Sequence, residues 1–132
     1  MVIQITNQDL RNVKTLLKGH PLAGFLAMVT LNKAICVDKS LFAGVGADVR
    51  LDIGPKDGSL ELDIQSIKIF GIDLAFAVRK RIMAALLAQL SLIPRATAAK
   101  VKGNILLKFQ DFNVLTAGVQ GDTAVLRLEL PT

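Results

Sequence analysis

The sequence predicts an α+β fold in which a strongly bent antiparallel sheet wraps one long helix. Three observations lead there. VGADVRLDI (45–53) and SLELDI (59–64) alternate apolar and polar residues, as half-buried strands do. In two places the apolar positions change parity without a turn signal, which is what a β-bulge causes: Leu60, Leu62 and Ile64 give way to Ile67 and Ile69, and Ile105, Leu107 and Phe109 to Phe112 and Val114. Between these stretches, DLAFAVRKRIMAALLAQL (73–90) has helical spacing.

Taken in order, NQDLRNVKTLLK (7–18) predicts a short amphipathic helix. Thr6 or Asn7 is the N-cap, Leu10, Val13, Leu16 and Leu17 share one face, and Gly19 with Pro21 marks the stop. Residues 22–37 are apolar at both periods, and the β-branched Val29, Thr30, Ile35 and Val37 favour strand in the second half. The strand at 45–53 turns through GPKDGS into its antiparallel return. The expected register pairs Ile53 with Leu60 and Leu51 with Leu62, setting Arg50 opposite Asp63 and Asp52 opposite Glu61. Gly71 ends the returning strand, and Asp73 caps a helix that runs to Leu92 before Pro94. Residues 95–103 read as a basic connection, 105–115 as a second bending strand, Gly121–Asp122 as a turn and 124–130 as the closing strand. The predicted order is α-β-β-β-α-β-β in a single domain, 1–132.

The chain is 52% hydrophobic but only 5% aromatic, with a mean hydropathy of +0.48, so its apolar mass is aliphatic. The apolar runs at 21–31 and 82–88 fall short of the roughly 18 residues that a membrane span requires. MVIQITNQDLRN lacks the basic and apolar regions of a secretory signal, and a lone Cys36 excludes an internal disulfide; the expectation is a cytoplasmic chain. Of the net charge of +5, residues 73–108 alone hold +6, from Arg79, Lys80, Arg81, Arg95, Lys100, Lys102 and Lys108 against Asp73. That concentration bears on partners rather than on fold.

The long helix is where a function is expected. Ile82, Leu86, Leu90 and Ile93 form one line, with Met83, Leu87 and Phe76 beside it and Leu74 and Val78 widening the arc. A helix lying on a sheet needs about a third of its circumference apolar, and this arc is wider. Core accounts for such an arc most simply. An apolar groove is the sharper expectation, because aliphatic lining suits a flexible acyl chain that binds by area. The groove residues would be Phe76, Ile82, Met83, Leu86, Leu87 and Leu90. Arg79, Lys80, Arg81, Arg95, Lys100 and Lys102 form a candidate patch for an anionic surface, a membrane or an acidic partner. Arg79 falls within the apolar arc and must send its charged head to water or to a counter-charge.

Catalytic constellations are scarce. His20 and Cys36 have no sequence neighbour that would activate them, no metal-ligand spacing is present, and the glycines form no phosphate loop before a helix. No cofactor is expected. Asp48, Asp52, Glu61 and Asp63 alternate with apolar residues and read as a solvated sheet face. Nucleic acid fits poorly, since Tyr and Trp are absent and Phe109 and Phe112 occupy core positions.

VGADVRLDI, SLELDIQSIKIFGI and NILLKFQDFNVL set about DLAFAVRKRIMAALLAQL resemble a bacterial tubular lipid-binding domain of the TULIP type, over about residues 45–130. The resemblance implies a highly curved antiparallel sheet around a helix and a lipid-sized apolar groove. Many members of that type are exported or membrane-anchored, whereas here no leader is expected and the length suits one module. The functional expectation is non-enzymatic binding of lipid or another apolar ligand, with peripheral contact to anionic membrane. The alternative is a homo-oligomerising or partner-binding module with no small ligand.

Overall fold

In the computed structural model the described residues are 1–38, 47–69, 72–73 and 75–130. Among them are three helices and ten strands, all strand pairs antiparallel: β1 (Val2–Thr6), α1 (Asn7–Leu16), α2 (Pro21–Leu26), β2 (Val29–Leu31), β3 (Ile35–Asp38), β4 (Ala47–Lys56), β5 (Ser59–Ile69), β6 (Ile72–Asp73), α3 (Ala75–Leu90), β7 (Ala96–Val101), β8 (Asn104–Phe109), β9 (Asn113–Gln120) and β10 (Thr123–Glu129). The class is α+β as expected, but the order is richer than α-β-β-β-α-β-β. Val45, Gly46, Gly71 and Leu74 lie outside the described residues.

Thr6 caps α1 through a capping box: its Oγ1 accepts from the Asp9 N–H at 3.2 Å, and the Asp9 carboxylate accepts from the Thr6 N–H at 2.8 Å. The segment before it, to which the sequence pattern assigns no element, is β1, which pairs with β10 at the other end of the sequence. The ambiguous stretch 22–37 divides. Pro21 opens α2, where its missing N–H costs nothing, and the β-branched half folds into the tight hairpin β2–β3.

The β4–β5 hairpin keeps its apolar residues on one face but slides two residues from the expected register. Ile53 pairs with Leu62 and Leu51 with Ile64, because Pro55 and Lys56 remain in the strand and only Asp57–Gly58 turns. Both turn residues have positive φ, 51° and 81°, the geometry a two-residue type I′ hairpin requires. Asp52 therefore faces Asp63, not Glu61, and Ser66 rather than Asp63 stands opposite Arg50. Leu51 pairs with Ile64 while neighbouring Arg50 pairs with Ser66, so Gln65 is the extra residue of a bulge where the parity change placed one. A Cβ on Gly58 would come within 3.1 Å of Asn113 Oδ1 in addition to the left-handed backbone strain. Gly58→Ala should cost about 1–2 kcal/mol, read as a lower urea midpoint at unchanged slope.

Asp73 lies in β6, paired with Lys68, and α3 begins beyond it at Ala75 and ends at Leu90 rather than Leu92. The stretch read as a connection at 95–103 is mostly β7, joined to β8 by a second I′ turn, Lys102–Gly103 (φ 50° and 83°). The second bending strand is in fact two. β8 belongs to a sheet ordered β2-β3-β4-β5-β8-β7, with β6 beside β5, whereas β9 belongs to the sheet β1-β10-β9. At the break, Phe109 and Phe112 stack with ring centroids 4.6 Å apart, and the Val114 N–H donates to Gly58 O at 2.8 Å.

One core joins the two sheets and α3. Val37, Val49, Leu51, Leu62, Ile64 and Ile67 from β3 to β5, Ile105 and Leu107 from β8, and Val114 and Leu128 from the smaller sheet bury with Ile82, Met83, Leu86 and Leu90.

Candidate functional site

The helix segment singled out by its spacing supplies both halves of the candidate site. On the apolar side, Leu86 is 0% exposed, Ile82 and Met83 are 2% exposed, Leu90 is buried and Leu87 half-buried, all within the core. Phe76 belongs to the backbone of α3, but its side chain lies outside what is described. In α1 the opposite holds. Val13 and Leu16 of its apolar face are exposed, so that stripe does not serve the core.

On the basic side the six candidates separate into two groups. Arg79 is a strut. Strand β8 pairs β5 only as far as Leu62, so the next carbonyls of β5 have no ladder partner on that side. The Arg79 guanidinium enters this gap, donating to Ile64 O and to Gly103 O, both at 3.0 Å, with Asp63 Oδ1 at 3.5 Å. The counter-charge that its place in the apolar arc demanded is Asp63, which stands opposite Asp52 in the ladder. Arg95 is also committed. Its Nε donates to Asp111 Oδ2 at 2.6 Å and a terminal nitrogen donates to Oδ1, closing a bidentate pair across the ends of β7 and β8. The hydrogen bond from Arg95 holds the Asp111 carboxyl below the usual carboxylate range, and Asp111 in turn raises the guanidinium.

The other four stay at the surface. Because Arg79 bonds Gly103 O, the start of α3 is pinned to the β7–β8 turn, which contains Lys102 and follows Lys100. Lys80 and Arg81 come directly after Arg79. All four are exposed, and none makes a hydrogen bond or ion pair among the described residues. Two carboxylates of β5 are neutralised within the sheet: Lys56 Nζ lies 3.5 Å from Glu61, and Asp63 takes Arg79 and a 3.0 Å bond from Gln65 Nε2.

Sequence reasoning missed the strand that carries Lys100, because alanine-rich ATAAKV has little β-propensity; Gly103 before an apolar run was the available turn signal. His20 sits in the exposed α1–α2 connection and Cys36 in β3. Among the described residues no three His, Cys, Asp or Glu side chains gather as a metal site, and no helix is long and apolar enough to cross a membrane. A polar hollow of about 350 Å³ opens on the outer face of β2 to β5, edged by Asn32, Cys36, Arg50 and Lys68. Arg50 is partly spent there, donating to Asn32 O at 2.7 Å. No family model, curated protein or solved structure matches this chain.

Proposed function

We propose that the chain is a non-enzymatic binding module that meets an acidic partner protein through Lys80, Arg81, Lys100 and Lys102. One observation carries the reading: all four cations are exposed and have no counter-charge among the described residues, while Arg79 and Arg95 of the same basic segment are neutralised internally. Uncompensated like charges repel one another, and an anionic surface relieves that repulsion.

Polyglutamate is a direct probe. Exposed ion pairs contribute about 0.2–1 kcal/mol each, so replacing all four residues with Ala should weaken polyglutamate binding by roughly tenfold or more at low salt. Added salt should remove the difference. If wild type and variant bind polyglutamate equally at low salt, the four cations are a solvated face and the reading fails.

The wide apolar arc supports a second reading, binding of lipid or another apolar chain between a strongly bent sheet and the helix it wraps. The bulge at Gln65 and the packing of α3 on β5, β7 and β8 favour that geometry. Burial of Leu86, Ile82 and Met83 favours the first reading, since a ligand would have to displace groups that already fill the core.

A further inference from the structure

Strand β7 is the last of its sheet. It has β8 on one side and, among the described residues, no strand on the other. A terminal strand turns alternate N–H and C=O groups outward, and an extended segment of another chain can pair with them. The register shows which side of this edge is charged. Lys100 pairs with Ile105 and Ala98 with Leu107, and both partners are buried in the core beneath α3. Lys100 therefore stands on the α3 side of the sheet, at the end of β7 next to the Lys102–Gly103 turn. The 3.0 Å bond from Arg79 to Gly103 O holds that turn against α3.

An edge strand bearing Lys discourages pairing with a second copy of itself, since like charges would meet. A strand of opposite charge has the converse effect. Carboxylates at every second position of an extended segment all project to one face, and here that face carries Lys100.

We infer that the open edge of β7 accepts an extended acidic segment of a partner protein as an added strand, its alternate carboxylates meeting Lys100 and Lys102. This rests on the proposed role of the cluster and adds backbone pairing to it.

The probe is a short, fluorescently labelled peptide of alternating Val and Glu, titrated at low salt and followed by anisotropy, with amide hydrogen exchange mapped on the protein. The Val-Glu peptide should bind and slow exchange within 96–101, and the Val-Gln counterpart should not. Lys100→Glu combined with Lys102→Glu should weaken binding by about tenfold or more. Backbone N-methylation of the peptide at alternate positions should abolish binding in one of its two phases and spare it in the other, a result that mutation of the protein cannot mimic by unfolding it. If both methylated peptides bind like the parent and exchange in 96–101 is unchanged, strand addition is overturned while the charge reading stands. Binding to phosphatidylglycerol vesicles without binding to the Val-Glu peptide overturns it in favour of a membrane surface. If polyglutamate, peptide and vesicles all fail to bind, the proposed function falls with it.

Discussion

Leu86→Ala is expected to lower the unfolding free energy by about 2–5 kcal/mol, the range for emptying a packed aliphatic site. Leu86 is 0% exposed and sits in the core with Ile82, Met83 and Leu90 from its own helix and strand residues of both sheets. The void would open where α3 joins the sheets, with little freedom to collapse. Leu86→Met, close in volume, should cost less than about 1.5 kcal/mol. Chemical denaturation of the protein after organic extraction measures both. A loss well below that range in extracted Leu86→Ala, together with loss of a co-purifying lipid, would support the apolar-ligand reading over a closed core.

The second large effect is expected at Arg79. Its removal leaves Ile64 O and Gly103 O without their Arg79 donor and leaves Asp63 opposite Asp52 without the Arg79 counter-charge. Hydrogen bonds from a charged group contribute about 1.5–3 kcal/mol, and the side chain is about a third exposed, so Arg79→Ala should cost roughly 1–3 kcal/mol. Arg79→Lys should recover only part of this, because an ammonium lacks the planar fork that spans two carbonyls. Asp63→Asn in the Arg79→Ala background should recover some stability by removing the carboxylate repulsion. A urea midpoint for Arg79→Ala equal to that of wild type would show that the gap beside β5 is satisfied by water.

How far these features were legible depends on the range of the interaction that creates them. The apolar arc of α3 and the bulge at Gln65 were legible because periodicity and parity are local patterns, written in the residues that obey them. The two-residue slip of β4 on β5 was not. GPKDGS contains several turn formers, and only the backbone decides whether Pro55 and Lys56 stay in the strand. The need of Arg79 for a counter-charge followed from its place in the arc, but Ile64 and Gly103 are 15 and 24 residues away and meet it only because β8 stops short. For the basic patch, clustering in sequence overstated clustering in space. Arg95 and Lys102 flank the same strand at opposite ends, and Arg95 is consumed by Asp111.

The smaller sheet has a consequence for the order of events during synthesis. Strand β1 emerges from the ribosome before the other strands described, yet its partner is β10, with Ile3 opposite Leu126 and the Leu128 N–H donating to Met1 O at 2.8 Å. Closing a loop that spans nearly the whole sequence carries one of the largest entropic penalties available to the chain, and it is offset only once β9 and β10 exist to receive the strand. Until then VIQIT is an unpaired strand with apolar residues attached to a growing chain, the kind of segment that chaperones bind and neighbouring nascent chains capture. The hairpins β4–β5 and β7–β8, each closed by two left-handed residues, are local and can form in passing. The seam between β1 and β10 is left as the latch, and its closure is the step at which translation speed and folding speed compete.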